Sequence, residues 1–171
     1  VARTHDLDRG HMMEMFRRAR EHRGAAFVEI FQNCNVFNNG AFEAITARSA
    51  RDDMLIPLVH GEQVRFGAER EKGVVIDRQG RAQIVAVADV GEDAILVHDE
   101  ARPEPGLAFL LSRLSSGPHE PTPVGVFRAV ERPDYGTEVD RQLTAAQTRS
   151  GPGDLDALLH SRPTWDVPAP A

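Results

Sequence analysis

A chain of 171 residues, 41% hydrophobic and 27% charged, is long enough for one domain with a packed core. With 20 basic and 26 acidic side chains its formal net charge is −6, which repels phosphate backbones and argues against DNA or RNA as a partner. The longest mainly apolar runs, 25–31 and 82–88, are far shorter than the roughly 20 residues needed to span a bilayer, so no membrane segment is expected. A single cysteine, Cys34, excludes an internal disulfide framework. No secretory signal opens the chain, and a reducing cytoplasm is the expected compartment. Val1 follows no initiator methionine, which points to a fragment or a processed chain.

Asp8 is placed to cap a helix over 10–21, in which Met12, Met13, Phe16 and Ala19 recur at helical spacing and Gly24 offers a left-handed stop. Residues 25–31 then read as a buried strand. Helix, glycine turn and apolar strand in succession belong to a parallel α/β sheet. The loop that follows, 32–40, is rich in asparagine, and a loop at the carboxyl end of a parallel strand is where α/β proteins place ligands. A short helix is expected over 41–50 through Phe42 and Ile45, leading into a charged connection at 48–53.

From residue 54 onward short apolar runs alternate with glycine and charge. Strands are expected at 54–59, 74–77 and 82–88, the last two forming a hairpin through Arg78-Gln79-Gly80. One more strand is expected at 95–98. Leu107, Leu110, Leu111 and Leu114 trace a helix face, which the glycine and prolines at 117–123 terminate. A last strand at 124–130 precedes helical segments at 137–148 and 154–160, and the proline-bearing residues 161–171 wrap a surface or stay mobile. No internal repeat is present.

The string Phe27-Val28-Glu29-Ile30-Phe31-Gln32-Asn33-Cys34-Asn35-Val36-Phe37-Asn38-Asn39-Gly40-Ala41-Phe42 closely resembles a segment of the β subunits of 2-oxoacid:ferredoxin oxidoreductases. Leu55-Ile56-Pro57-Leu58, Arg65-Phe66-Gly67 and Lys72-Gly73-Val74 are similar to that family's carboxy-terminal extension. Val124-Gly125-Val126-Phe127-Arg128 and Thr164-Trp165 resemble the tails of its 2-oxoglutarate type. The resemblance implies an α/β fold. Residues 1–53 would be the last part of a thiamine-diphosphate-binding parallel-sheet domain, 54–100 a small β-rich extension, and 101–171 a helix, a strand and a proline-rich tail.

It also implies the reaction: oxidative decarboxylation of a 2-oxoacid with coenzyme A to acyl-CoA, CO2 and reduced ferredoxin, or the reverse. The cofactors implied are thiamine diphosphate, Mg2+ and a [4Fe–4S] cluster, with Cys34 matching the cluster's fourth cysteine ligand. Backbone amides around that sulfur are expected to tune it. The family's Cys-x-x-Cys pair, third cysteine and Gly-Asp-Gly segment do not occur here. No catalytic or thiamine-contacting residue is therefore assigned. The implied partners are an α subunit, the missing amino-terminal half of the β subunit and ferredoxin, and the chain alone is expected to be inactive.

Other readings stand beside these. Cys34 could be an ordinary buried thiol, or a nucleophile served by His60 or His98. Glu29, inside an apolar strand, either meets an arginine or faces a cofactor cavity. Asn33, Asn35, Asn38 and Asn39 either shape turns, which is expected of at least two, or bind a ligand. Met12, Met13 and Met15 are expected to pack a helix rather than form a binding surface, and Glu69-Arg70-Glu71-Lys72 to be a solvated turn. The pairs His5 with His11 and His119 with Glu120 lack zinc-like spacing. A noncatalytic subunit-interaction module is the alternative function.

Overall fold

The computed structural model describes residues 1–115, 117, 119–165 and 167; part of the segment 161–171, including Pro168 and Pro170, lies outside them. The described residues contain no helix long and apolar enough to cross a membrane. Two compact units are formed, Val1–Arg132 and Pro133–Ala171.

The first unit opens with β1 (Ala2–His5), α1 (Arg9–Glu21) and β2 (Val28–Phe31). Asp8 caps α1 as expected, its carboxylate accepting the His11 N–H at 3.0 Å, a contact typically worth about 1 kcal/mol. The buried face differs from the expected one. Met15 is the buried residue, whereas Met13 and Phe16 are exposed. The side of the helix that carries His11, Met12, Met15 and Ala19 is turned inward, and Thr4 on β1 anchors it through a 2.8 Å bond with the His11 ring. The helix ends on an extended His22 rather than a left-handed cap. Gly24, with φ of 120°, instead lets the chain pass the Arg132 backbone, where a side chain would lie 3.0 Å from its carbonyl oxygen.

The helix expected over 41–50 is broken into single turns, α2 (Glu43–Thr46) and α3 (Arg51–Met54), the second within the expected charged connection. β3 (Leu55–Leu58) follows, then β4 (Arg65–Phe66), β5 (Lys72–Ile76) and β6 (Ala82–Ala86). The expected hairpin is β5–β6. Asp77 shapes its turn by accepting the Gln79 and Arg81 N–H groups, both at 2.9 Å, and Gly80 takes φ of 77°. After α4 (Val87–Val90), residues 95–98 make only one isolated bridge, Gln63 to Val97, in place of the expected strand. They still run between neighbours, since Leu96 accepts from Val64 and donates to Val74, each at 2.8 Å. α5 (Gly106–Ser112) carries Leu111 into the core, and β7 (Thr122–Val126) lies two residues earlier than its expected start.

The main sheet has the order β2-β1-β7-β3 and is mixed rather than wholly parallel. β1 and β2 are parallel, β3 and β7 are parallel, and the two pairs meet antiparallel at β1 and β7. Strands from beyond residue 54 thus enter the same sheet as β1 and β2. β7 is buried along its whole length, as a central strand should be. Pro123 is tolerated there because its carbonyl faces the Arg3 guanidinium past the last β1–β7 pair, so the missing N–H would have had no ladder partner. Ile56, Leu58, Phe127 and Leu111 pack with Val64 and with Phe66 and Val74 of the three-stranded β4-β5-β6 sheet into one core. A smaller cluster of Ala2, Met15 and Val126 joins α1 to the main sheet.

In the second unit, α6 (Tyr135–Ser150) is capped by Asp134 and α7 (Leu155–Leu159) by Asp154, each side chain accepting a backbone N–H at 2.9 Å.

Candidate functional site

β1 and β2 run in the same direction, so the residues that leave them, Asp6-Leu7 and Gln32-Asn33-Cys34, emerge side by side at their carboxyl ends. This is where parallel sheets open a crevice. A cleft of about 280 Å3 lies there, lined by Asp6, Leu7, Asn33, Gly40, Phe42 and Thr46 among others.

The loop between β2 and α2 is closed at its base by the stacked rings of Phe31 and Phe42, 4.5 Å apart and nearly coplanar at 4°. Asn33 organises its interior. The Oδ1 of Asn33 accepts the Gly40 N–H at 2.7 Å, while its Nδ2 donates to Asn35 at 2.9 Å and Asn39 at 3.1 Å. Asn38 does the second task, its Oδ1 accepting the Cys34 N–H at 2.7 Å while its own N–H donates to the Cys34 carbonyl at 3.0 Å. Asn33 and Asn38 therefore carry out the turn chemistry expected of this loop. Asp6 pins the loop to β1 by accepting the Asn33 N–H at 3.3 Å.

These bonds fold residues 34–38 around a sulfur atom. The neighbouring backbone N–H groups, of Phe37 first and then of Val36, lower the Cys34 thiol pKa from the ordinary cysteine value, with desolvation opposing them and a smaller contribution from Asn38. Cys34 is half-buried. The side chains of Val36 and Phe37 are turned out, 79% and 91% exposed. The loop therefore favours the ionised form of its one thiol relative to a free cysteine.

Neither histidine considered as a base for Cys34 serves that role. His98 is buried with Nε2 bonded to the Val126 carbonyl at 2.7 Å, and the His60 ring accepts the Glu100 N–H at 3.3 Å. Glu29 meets an arginine, pairing with Arg3 at 2.6 Å. The Arg3 guanidinium also lies about 5 Å from the ring centres of Phe31 and Phe127, so this acid belongs to the scaffold. Among the described residues no group of three or more His, Cys, Asp and Glu side chains is arranged to hold a metal ion. Cys34 can contribute one soft, anionic ligand, and any centre it joins must draw the others from elsewhere.

Asp6 and the Phe31–Phe42 stack went unnoticed in the sequence. Asp6 would have stood out had 2–5 been read as a strand, because it then occupies the same crevice position as the asparagine loop.

The fold and this loop define a class: a mixed-sheet α/β protein that presents a single cysteine, in an asparagine-organised loop, at the carboxyl end of a parallel strand pair. The chain is 42% identical over 169 residues to the 2-oxoglutarate oxidoreductase subunit KorB of Mycobacterium tuberculosis (strain ATCC 25618 / H37Rv). The alignment covers 98% of this chain and 45% of that subunit, so the chain spans less than half the length of the curated relative it matches. The matched portion is the relative's carboxy-terminal part, in agreement with the resemblance carried by residues 27–42. No family model matches the chain, and no solved structure matches it.

Proposed function

We propose that this chain is the carboxy-terminal portion of the β subunit of a cytoplasmic 2-oxoglutarate:ferredoxin oxidoreductase, in which Cys34 is one ligand of a [4Fe–4S] cluster. The observation that carries this reading is the place of Cys34 in an asparagine-held loop at the carboxyl end of the β1–β2 parallel pair, where neighbouring backbone N–H groups lower the thiol pKa. Thiolate ligands of iron–sulfur clusters carry negative charge, and hydrogen bonds to the sulfur both favour its ionised form and raise the centre's potential. An ordinary core cysteine needs no such donors. The likeness to an oxidoreductase subunit over nearly the whole chain supports the same reading.

In the assembled enzyme, thiamine diphosphate with Mg2+ would supply the chemistry of 2-oxoacid decarboxylation, coenzyme A would take the acyl group, and the cluster would pass electrons singly to ferredoxin. The work of this chain's own residues is narrower. Cys34 supplies one thiolate, the N–H groups of residues 36–38 favour its charge, and Asn33 and Asn38 hold the loop by accepting the N–H groups of Gly40 and Cys34. The cleft beside the loop is lined by Leu7 and Phe42 as well as by Asp6, Asn33 and Glu43. Nothing in it matches a diphosphate or magnesium site, and those contacts are assigned to the rest of the β subunit and to an α subunit.

The test is Cys34→Ala in the full-length β subunit assembled with its partner. Iron and labile sulfide per protomer should fall, the charge-transfer absorbance should bleach, and ferredoxin reduction should stop. Unchanged iron content and absorbance would remove Cys34 from the ligand set. A wild-type assembly free of iron and sulfide would leave only a subunit-interaction module.

A further inference from the structure

β2 has the sequence of an interior strand but lies at the edge of the main sheet. The run Phe27-Val28-Glu29-Ile30-Phe31 is apolar except for one acid, and that acid is tied to Arg3. A strand with one face in water alternates apolar and polar side chains, whereas a near-continuous apolar run belongs to a parallel sheet covered on both faces. Here the cover is incomplete. Phe27 is 64% exposed and Ile30 37%. Ile30 stands in step with Val28, which packs with Ala2 and with Met15 of α1, and Phe27 points to the opposite face. Apolar surface is therefore bare on both faces of the strand.

The hydrogen bonds of β2 are one-sided in the same way. The Ala2 N–H donates to the Phe27 carbonyl at 2.9 Å and the Asp6 N–H to the Phe31 carbonyl at 3.0 Å. A parallel ladder uses alternate residues of each strand, so Phe27, Glu29 and Phe31 face β1 while Val28 and Ile30 face away. Among the described residues no backbone hydrogen bond reaches the N–H or carbonyl of Val28 or Ile30. α6 and α7 are helical and offer no strand to complete the ladder. An edge meant to stay free is blunted, commonly by proline or lysine. The opposite edge strand, β3, carries Pro57; β2 carries neither.

We propose that a strand from the amino-terminal portion of the same subunit pairs with the outer side of β2, parallel to it, and makes β2 an interior strand of a larger sheet. This rests on the reading of the chain as the carboxy-terminal portion of a longer subunit, since more than half of the relative's length lies outside the matched part. A segment of the same polypeptide is held near β2 at high effective concentration, which favours it over a separate chain. A second copy across a two-fold axis would instead lay β2 antiparallel on itself, against the parallel character of its apolar run. The added strand lies about 4.8 Å from β2. Its carboxyl end opens on the crevice that holds the Cys34 loop. The groups that the Cys34 site lacks then come from the loop leaving that strand, on the side of β2 away from Asp6.

Amide hydrogen exchange in the full-length wild-type subunit, resolved to single residues by mass spectrometry with electron-transfer fragmentation, tests this without a variant. Glu29 and Phe31 are the internal reference, because their N–H groups face β1. The Val28 and Ile30 N–H groups should exchange as slowly as those two, within about tenfold. Faster exchange than that at Val28 and Ile30 means the outer side is open and overturns the proposal. So does protection that fades on dilution, which makes a second copy the occupant, or protection that appears only when a companion subunit is added. Iron and sulfide are read on the same samples. Protected Val28 and Ile30 in an iron-free wild type would defeat the cluster reading and leave the added strand standing, and unprotected amides in an iron-loaded subunit would defeat the strand alone.

Discussion

Gly125 offers the sharpest quantitative test of the scaffold. It sits in β7 between Arg3 of β1 and Leu58 of β3, with φ of 115°. In Gly125→Ala the new methyl carbon would lie 2.6 Å from the Leu58 carbonyl oxygen and 3.2 Å from the Leu58 Cβ. That oxygen is main chain in a neighbouring strand and cannot swing aside. The torsion alone costs about 1–3 kcal/mol in a residue with a Cβ, and forcing a methyl into a filled space adds about 1–3 kcal/mol. The sum is about 4 kcal/mol, which at roughly 2–4 °C per kcal/mol for a chain of this size lowers Tm by about 8–16 °C. Gly61→Ala is the matched control, since Gly61 has φ of 78° but no atom within 4 Å of the added carbon. It should show the torsional part only. Thermal and urea unfolding followed by circular dichroism measure both. Equal losses in the two variants would refute the steric half of the reasoning, and a loss under about 1 kcal/mol for Gly125→Ala would refute the whole.

Two further outcomes follow from the site and its surroundings. Asn38→Ala frees the Cys34 N–H and loosens the loop, so the thiol pKa should rise toward that of free cysteine and alkylation by iodoacetamide at neutral pH should slow; an unmoved pH–rate midpoint would show that Asn38 does not set the thiol's surroundings. His5 and His11 are each held below the ordinary histidine pKa, chiefly by burial. The unfolded chain therefore takes up these two protons first as pH falls through about 6.5, so the contribution of the two histidines to native stability should be flat above that value and decline beneath it until the native imidazoles protonate. The double variant H5Q/H11Q should flatten that decline; an unchanged slope would place its origin in other groups.

Local signals were legible and pairings were not. α1, α5, α6 and the β5–β6 hairpin follow from apolar spacing, capping aspartates and a glycine turn, all of which act within a few residues. β1 escaped because Ala2-Arg3-Thr4-His5 looks polar, yet Ala2, Thr4 and His5 are buried against partners that sequence does not name. Pro123 read as a terminator because a proline's cost depends on whether its N–H faces a neighbour, which only the register decides. At the site, the chemical character of the asparagine loop and the special place of Cys34 were readable from residue types. The clamp of Phe31 on Phe42 and the bond from the Asn33 N–H to Asp6 needed the folded chain.

The placement of β7 also sets an order of events during synthesis. Its register with β1 joins Ala2 to Val126, so the strand at the middle of the sheet is made more than a hundred residues after the strand beside it. Until β7 emerges from the ribosome, β1 and β3 each offer a bare row of amide and carbonyl groups to any passing strand. Nascent chains stalled before residue 126 should thus be the aggregation-prone and chaperone-dependent species, and the closing step, a centre strand slipping between two waiting edges, should be the slow one.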